Sequence, residues 1–297
     1  MSSDGRRVHL IERAALRLDD VPARTGAAPA PILADARPEI GEAPPGVAPV
    51  DIPRDGGSAV IDEAALRRAG MVDWSGPNTR VAEEFRIAQT ELVRRSGGEN
   101  QGGTLPRSRL VMVTSAFPGE GKSFNAINLA VGIARQDGRR VLLIDADGKP
   151  GSLGDLLGLS GAPGLIDLAA NRSLDPSGLL VATCIATLDF LPIGGDASNS
   201  PAAFAGDGAA GAIADLARRY ADRLIIMDVP PCLSSSRAHL LAPLVGQVVL
   251  VVAAGSTQQG DVEAALGLVR SCPGTSLLLN KVSRWQTHSF GSNVYAT

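Results

Sequence analysis

Residues 110–123 read LVMVTSAFPGEGKS, in which an apolar run of strand length leads into a glycine-rich loop. The loop fits the phosphate-loop pattern G-x-x-x-x-G-K-[ST], with Ala116 in place of the first glycine. Its glycines would let backbone N–H groups approach phosphate, and a helix-compatible run over 124–135 would add a positive helix N-terminus. Lys122 would bridge the β- and γ-phosphates, and Ser123 would bind Mg²⁺. A glycine-rich turn that binds nothing is disfavoured, because the strand before the loop and the helix after it are both indicated.

Acidic residues end two further apolar runs. Residues 141–147 read VLLIDAD and residues 224–228 read LIIMD. In a parallel sheet such strand ends emerge at one carboxyl edge, where open α/β folds bind ligands. Asp145, Asp147 and Asp228 would there hold Mg²⁺ and its waters against the phosphates, although each aspartate taken singly could instead cap a helix. The three motifs together predict a site for ATP or GTP.

The end of the last apolar run bears on the choice of base. Asn280 and Lys281 follow this run, and a guanine site of the N-K-x-D type would need an aspartate where Ser283 stands. The sequence therefore favours adenine, with Asn280 as a candidate contact to the base. An ordinary turn residue at a strand end is the alternative for Asn280.

Apolar runs of strand length recur from Ser108 onward and alternate with helix-length segments. They consist of consecutive Val, Ile and Leu, which is typical of parallel strands buried on both faces. The runs lie at 110–113, 141–144, 188–191, 224–227, 248–252 and 277–279. The pattern predicts an α/β fold of the P-loop NTPase type, a doubly wound, mostly parallel sheet with helices on both faces.

Composition excludes several other classes of protein. The 297 residues are 44% apolar with a formal net charge of −3, which is ample for a packed core and argues against a broad nucleic-acid surface. No apolar run is long enough to suggest a transmembrane helix, so a cytoplasmic protein is expected. Three widely spaced cysteines indicate neither a disulfide framework nor a zinc site, and Cys232 is expected to be a half-buried thiol rather than a redox switch.

Proline content divides the chain into regions. Eight of the 20 prolines fall in residues 1–57, where Ala/Pro/Gly-rich sequence cannot bury enough apolar surface to offset the entropy of ordering. Two helical patches follow, around 61–69 and 79–95. The predicted regions are an amphipathic helix over 1–19, a disordered linker over 20–58, a helical lead-in over 59–107, an ATP-binding domain over 108–284 and a flexible tail over 285–297.

The quoted motifs resemble those of the bacterial tyrosine autokinases of exopolysaccharide loci. The likeness rests on the loop PGEGKS, the strand end DAD and the segment IIMDVPP, and it covers nearly all of 60–285. The N-terminal segment LIERA (10–14) is similar to the opening of the branch encoded with exosortase (PEP-CTERM) loci. The resemblance implies an ATP- and Mg²⁺-dependent kinase that phosphorylates tyrosines in its own tail and controls polymer length and export.

The resemblance also implies partners and a location. The family works beside an inner-membrane polysaccharide co-polymerase, a chain-length determinant, so the chain is expected to be peripheral to that membrane through this partner. A homo-oligomer and a cognate phosphatase are further expected partners, and nucleic acid is not. Glu83 and Arg86 fit the E-x-x-R-x-x-R helix with which the family assembles rings.

Site residues carry over from the family by position. Lys122, Asp145, Asp147 and Asp228 are the implied catalytic set, in which Asp145 would orient the metal or accept the tyrosine proton. The implied Mg²⁺ ligands are Ser123, Asp145 and Asp228. The implied nucleotide contacts are Pro118, Gly119, Glu120, Gly121, Lys122, Ser123, Phe124 and Asn280.

The sequence departs from the family pattern at three places. The third position of the ring motif is Gln89 instead of arginine, and the second nucleotide motif continues as Gly-Lys-Pro-Gly over 148–151. The C-terminal tail carries a single tyrosine, Tyr295, while Tyr220 lies in a helix-like run where packing is the expected role. Multi-site tail phosphorylation is therefore excluded, and retention of activity is an open question.

Two alternatives to a tyrosine kinase stay open. The first is a regulatory subunit whose nucleotide state gates a membrane co-polymerase, without catalysis on tyrosine. The second is a partition or division ATPase, which is disfavoured because that group carries a signature lysine where this chain has Phe117.

Overall fold

The computed structural model describes residues 60–74, 80–96, 106–136, 138–195 and 207–282. The helix predicted over 1–19, the linker over 20–58 and the tail over 285–297 lie outside these residues and stay predictions.

A seven-stranded sheet forms the centre of the described part of the chain. The strands are β1 (Leu110–Ser115), β2 (Arg140–Asp145), β3 (Val181–Ala182), β4 (Leu188–Leu191), β5 (Arg223–Asp228), β6 (Gln247–Ala253) and β7 (Thr275–Asn280). Their order across the sheet is β3-β4-β2-β5-β1-β6-β7, and every neighbouring pair is parallel except β3 with β4. Each of the six runs predicted as strands forms one, which confirms the mostly parallel sheet.

The edge strand β3 was not predicted from the sequence. It has two residues and pairs antiparallel with β4, so it shows no periodicity that could be recognised. Beside it, the Ile61 N–H donates to the Ala182 carbonyl at 2.9 Å, and the Cys184 N–H donates to the Ile61 carbonyl at 2.8 Å. The lead-in is thereby attached to this edge of the sheet.

Helices connect the strands and precede the sheet. They are α1 (Glu63–Arg68), α2 (Arg80–Arg95), α3 (Lys122–Gln136), α4 (Leu153–Leu156), α5 (Leu165–Ala170), α6 (Asp207–Arg219), α7 (Arg237–Leu241) and α8 (Gln259–Val269), with 3-10 turns at Pro106–Arg109, Pro176–Gly178 and Ala242–Leu244. The first two match the helical patches predicted in the lead-in. Helix α1 begins after Asp62, whose Oδ1 accepts a hydrogen bond from the Ala65 N–H at 2.7 Å and so caps the first turn.

Apolar cores cover both faces of the sheet. Successive strand side chains point to opposite faces, so Leu142 of β2 packs with α6 on one face while Leu143 packs with α3 on the other. Both residues are almost completely buried. The runs of consecutive Val, Ile and Leu are therefore explained by helices on both faces, as the doubly wound prediction requires.

None of the described helices combines the length and apolar character that crossing a bilayer demands.

Candidate nucleotide site

The predicted motifs meet at the carboxyl edge of the sheet. Strands β1, β2 and β5 are neighbours, and the parallel register places Asp145 opposite Asp228 and Val113 opposite Asp228. The loop 116–121 leaves β1 at this edge, and α3 begins at Lys122. The structure therefore brings together the phosphate loop and the three aspartates that the sequence predicts.

Glycine is required at two positions of the loop. Gly119 has φ of +84° and Gly121 has φ of +101°, in a region that side-chain-bearing residues rarely adopt. A Cβ on Gly121 would also lie 2.0 Å from Nδ2 of Asn280. Glycine at position 121 therefore leaves room for Asn280 to pack against the loop.

We expect Gly121→Ala to weaken ATP binding by at least about tenfold, because the new methyl group forces the loop away from Asn280 and adds backbone strain. Titration calorimetry with ATP measures the change. Gly138→Ala is the matched control, since Gly138 also has positive φ (+60°) but has open space around its Cβ position. Equal losses in the two variants would contradict the close approach as the cause.

Side chains outside the motif hold the loop in place. Glu120 is buried, and its Oε2 accepts a hydrogen bond from the Phe117 N–H at 2.9 Å while its Oε1 accepts one from Thr257 Oγ1. Asn280 Nδ2 donates to the Glu120 carbonyl at 2.8 Å. Glu120 thus supports the loop with its side chain, and Asn280, predicted as a base contact, braces it. Thr257 was missed, since nothing marks it in the short polar loop after β6.

Lys122 lies between two carboxylates. Its Nζ is 2.5 Å from Asp147 Oδ2 and 3.3 Å from Asp228 Oδ1, and it also donates to Ser123 Oγ at 3.0 Å. Burial acts to lower the pKa of Lys122, but attraction to Asp228 and Asp147 outweighs burial and raises the pKa above its ordinary value. Lys122 is therefore a charged, nearly buried cation at the start of α3.

Asp228 is completely buried in the site. Burial raises its pKa to about 7 against the opposing attraction of Lys122, and the nearby Asp145 adds to the rise. Oδ2 of Asp228 and Oδ1 of Asp147 are buried and have no hydrogen-bond partner among the described residues. Buried carboxylate oxygens without donors are suited to a hard divalent cation, so the residues present fit Mg²⁺.

The carboxylate of Asp145 accepts hydrogen bonds from backbone N–H groups that follow it in the chain. Its Oδ1 accepts hydrogen bonds from the N–H groups of Asp147 and Gly148 at 2.9 and 3.4 Å, and its Oδ2 accepts one from Gly154 at 2.8 Å. These contacts organise the loop that follows β2. The structure places Asp145 in the site as predicted, with its oxygens turned to this loop.

The acids do not form a metal cage by themselves. Within the described ranges, no group of three or more His, Cys, Asp or Glu side chains is arranged to hold a metal ion. Mg²⁺ in nucleotide sites is usually held by one or two carboxylates together with phosphate oxygens and water.

Several known proteins are similar to this chain, although no protein-family model matches the sequence. Tyrosine-protein kinase YwqD of Bacillus subtilis is 31% identical over 202 residues, which cover 68% of this chain and 81% of YwqD. The chain belongs to the bacterial tyrosine kinase family. The kinase domain of VpsO is 30% identical, has a TM-score of 0.56, and is matched over 96% of its length and 69% of this chain.

Other relatives are much longer than this chain. The tyrosine-protein kinase EpsB of Ralstonia solanacearum is 35% identical over 160 residues, 54% of this chain and 21% of EpsB. The succinoglycan biosynthesis transport protein ExoP of Rhizobium meliloti is 30% identical over 201 residues, 67% of this chain and 24% of ExoP. The chain therefore spans about a fifth to a quarter of the length of these relatives.

The predicted ring residues of this kinase-family chain lie on α2. Glu83 and Arg86 are partly exposed and form an ion pair with each other at 2.5 Å. Gln89 is buried instead, and its Nε2 donates to the Asn128 carbonyl of α3 at 3.3 Å. A Cβ on Gly132 would lie 1.8 Å from Gln89 Nε2, so this side chain packs tightly on α3.

Phe124, counted among the nucleotide contacts, packs on the lead-in. Its ring centroid is 5.9 Å from that of Phe85, and Phe85 is 6.1 Å from Trp74. This aromatic row links the residue after Ser123 to helix α2. Phe124 therefore fixes α3 through its ring, while any contribution to phosphate binding would come from its backbone.

Two residues singled out in the sequence are internal. Tyr220 is completely buried with the Arg223 guanidinium 4.6 Å from its ring centroid, which confirms a packing role. Cys232 is buried with its Sγ 3.6 Å from Thr114 Oγ1, and burial raises the pKa of the thiol. A raised pKa disfavours the reactive thiolate, as expected for a thiol without a redox role.

Proposed function

We propose that this chain is an ATP-dependent protein-tyrosine kinase that acts in exopolysaccharide polymerisation and export. The observation that carries the proposal is the cluster of Lys122 with Asp147 and Asp228 at the end of the phosphate loop, in a chain of the bacterial tyrosine kinase family. The name of ExoP, a succinoglycan biosynthesis transport protein, supports the link to polysaccharide.

The proposed roles follow from the contacts of each residue. The backbone of 118–124 and Lys122 would hold the phosphates, so Lys122 would exchange its carboxylate partners for phosphate oxygens. Ser123 and Asp228, which both contact Lys122 Nζ, would hold Mg²⁺ together. Asp147 Oδ2, released when Lys122 turns to the phosphates, would hold a water of the metal. When bound, Mg²⁺ neutralises charge on the transferring phosphoryl group.

The proton of the acceptor hydroxyl needs a base. As the tyrosyl oxygen bonds to the γ-phosphorus and ADP leaves, a nearby carboxylate takes up the hydroxyl proton. The sequence favours Asp145, but its oxygens accept three backbone hydrogen bonds. We therefore assign the base to Asp147, whose Oδ1 has no hydrogen-bond partner in the described part of the chain, and assign Asp145 to organising the loop around it.

The proposal also covers the tyrosine that accepts the phosphoryl group and the cellular location of the chain. Tyr220 is buried in the core, so the acceptor would be Tyr295, which lies outside the described residues, or a tyrosine of a partner. We place the chain in the branch encoded with exosortase loci, at the cytoplasmic face of the inner membrane. There it would bind a polysaccharide co-polymerase, assemble as a homo-oligomer through Glu83 and Arg86, and be reset by a cognate phosphatase.

Labelled ATP tests the kinase activity directly. With Mg²⁺ and γ-labelled ATP, we expect label on tyrosine of the wild-type chain, and loss of that label in Tyr295→Phe if this residue is the acceptor. A co-polymerase fragment is added as a second acceptor. Absence of labelled tyrosine in both proteins, or labelling that survives Lys122→Ala unchanged, would refute the kinase.

A regulatory subunit is the second candidate, favoured by the tyrosine count. The sequence has two tyrosines, and burial of Tyr220 leaves one for phosphorylation. Polymer export that persists in a Tyr295→Phe strain but fails in Lys122→Ala would favour gating by nucleotide alone. Export lost in both strains would favour phosphorylation of the tail.

A further inference from the structure

The turn that carries Asp147 is held from two sides. On one side, the backbone N–H groups of Asp147 and Gly148 donate to Asp145 Oδ1. On the other, Arg237 Nη1 donates to the carbonyls of Ala146 and Asp147 at 3.1 and 2.6 Å. Charged partners therefore fix both the donors and the acceptors of this turn, and such hydrogen bonds are stronger than neutral ones.

Arg237 reaches the turn from a different loop. It is the first residue of α7, which follows β5 and Asp228, whereas the turn follows β2. Since β2 and β5 are neighbours with Asp145 opposite Asp228, the guanidinium spans the two loops that carry the acids. The half-buried Arg237 thus joins the second and third nucleotide motifs.

Charge balance gives a reason for a cation at this position. Three carboxylates converge at this edge, and Lys122 pairs with two of them, Asp147 and Asp228. Burial lowers the pKa of Arg237, and the attraction of Asp147 and Asp145 only partly opposes this effect. A guanidinium nevertheless stays protonated in proteins, so Arg237 carries a positive charge. Because Nη1 bonds to carbonyl oxygens, the charge is supplied without using the Asp147 carboxylate oxygens.

We propose that Arg237 is a positioning residue for phosphoryl transfer, which fixes the turn over 145–148 so that the Asp147 carboxylate stays in place beside Lys122. It acts through Asp147 and does not bond the nucleotide. The inference rests on the proposed function, because it assumes that ATP and Mg²⁺ bind at this edge. Residues that hold the ligands of a metal site in place typically contribute about 10- to 100-fold to metal affinity or activity.

The test compares full-length wild type with Arg237→Ala, Arg237→Lys and the control Arg270→Ala, in which an exposed arginine at the end of α8 is removed. A fluorescent ATP analogue is titrated in EDTA and then with Mg²⁺, and phosphotransfer is measured at saturating ATP. For Arg237→Ala we expect affinity in EDTA within about twofold of wild type, a Mg²⁺ half-saturation raised about tenfold, and kcat reduced about 10- to 100-fold. Arg270→Ala should match wild type.

Two further readouts separate positioning from loss of structure. Hydrogen exchange at the Gly148 amide should become faster in Arg237→Ala while that of β5 is unchanged. Added methylguanidine should restore part of the lost rate in Arg237→Ala. If Arg237→Ala does not melt cooperatively, Arg237→Lys carries the test, because one ammonium cannot reproduce the bond to both carbonyls with the same geometry.

Unchanged Mg²⁺ dependence together with unchanged exchange at Gly148 would overturn the inference. So would an equal loss in Arg270→Ala. If the wild type binds Mg²⁺ and ATP but phosphorylates no tyrosine, the proposed kinase fails, and the Mg²⁺ titration still decides the role of Arg237.

Discussion

Replacement of Lys122 by Met is expected to reduce phosphotransfer by about 10²- to 10³-fold, comparable to removal of a preorganised donor to developing charge. Lys122 is the described cation that contacts both Asp147 and Asp228, at 2.5 and 3.3 Å. Its loss removes the charge that would meet the phosphates. The measurement is the initial rate of tyrosine labelling at saturating ATP and Mg²⁺.

The same substitution should change how stability depends on pH. The pKa of Asp228 is about 7 in the folded wild type, above its value in the unfolded chain, so folding is favoured at low pH and this contribution is lost as pH rises to about 7. Without Lys122 the folded pKa rises further, so stability continues to fall above pH 7, by up to about 1.4 kcal/mol per pH unit. Lys122→Met should therefore be more destabilised at pH 8 than at pH 6.

Urea denaturation at both pH values in EDTA measures this effect. Lys281→Met, at an exposed lysine after β7, is the control and should follow the wild type at both pH values. A Lys122→Met protein with the same loss of stability at pH 6 and pH 8 would contradict the electrostatic coupling. Labelling at the wild-type rate would exclude Lys122 from catalysis.

The parts of the site that depend on local sequence patterns could be predicted from the sequence. Each nucleotide motif is an apolar strand followed by a short polar end, and parallel pairing then places the ends together. The pairing of Asp145 with Asp228 in register follows from this rule alone. Membership of a parallel sheet therefore explains why three motifs that lie far apart in the sequence form one site.

Residues that act across loops could not be predicted in this way. Arg237 and Thr257 contact the site through the arrangement of β5 and β6, and neither belongs to a motif with fixed spacing. Glu120 lies inside the motif, but the direction of its side chain depends on Thr257. Such contacts depend on tertiary structure, which a local pattern does not encode.

The burial of Gln89, in contrast, could have been predicted, because the spacing of apolar residues on α2 indicates which helical face is buried. Ala82, Phe85, Gln89 and Leu92 are all buried on α2, and their spacing is that of one helical face. Comparison with the ring motif, in which Gln89 replaces an arginine, drew attention to a possible subunit contact and away from packing inside the domain. Helical periodicity places it on the inner face, where it bonds to α3.

Replacement of Asp228 by Asn is expected to stabilise the nucleotide-free protein while abolishing its Mg²⁺-dependent binding of ATP. The carboxyl is fully buried with a folded pKa of about 7, and none of the residues that the structure describes donates a hydrogen bond to Oδ2. Folding therefore opposes ionisation of this group. A neutral amide of similar shape avoids that cost but is a poorer ligand for a hard divalent cation.

The sign of the pH dependence follows from linkage. Between the unfolded pKa of about 4 and the folded pKa of about 7, the folded wild type binds more protons than the unfolded chain, so its stability falls as pH rises. The amide that Asp228→Asn introduces has no proton to lose, so the variant lacks this decline. Asp228→Asn should therefore match the wild type near pH 4 and exceed its stability by about 1–3 kcal/mol at pH 8.

Urea denaturation in EDTA at pH 4 and pH 8, with ATP titrations in EDTA and in Mg²⁺, tests both parts of this prediction. Asp222→Asn is the control, because Asp222 lies just before β5 at the opposite edge of the sheet and its side chain is partly exposed. It should leave Mg²⁺-dependent binding of ATP unchanged. Loss of stability in Asp228→Asn at pH 8 would contradict the burial cost assigned to the carboxylate, and retention of Mg²⁺-dependent binding would exclude Asp228 as a metal ligand. A gain in stability together with a loss of binding would instead mean that this buried acid is kept for its chemistry at the expense of the fold.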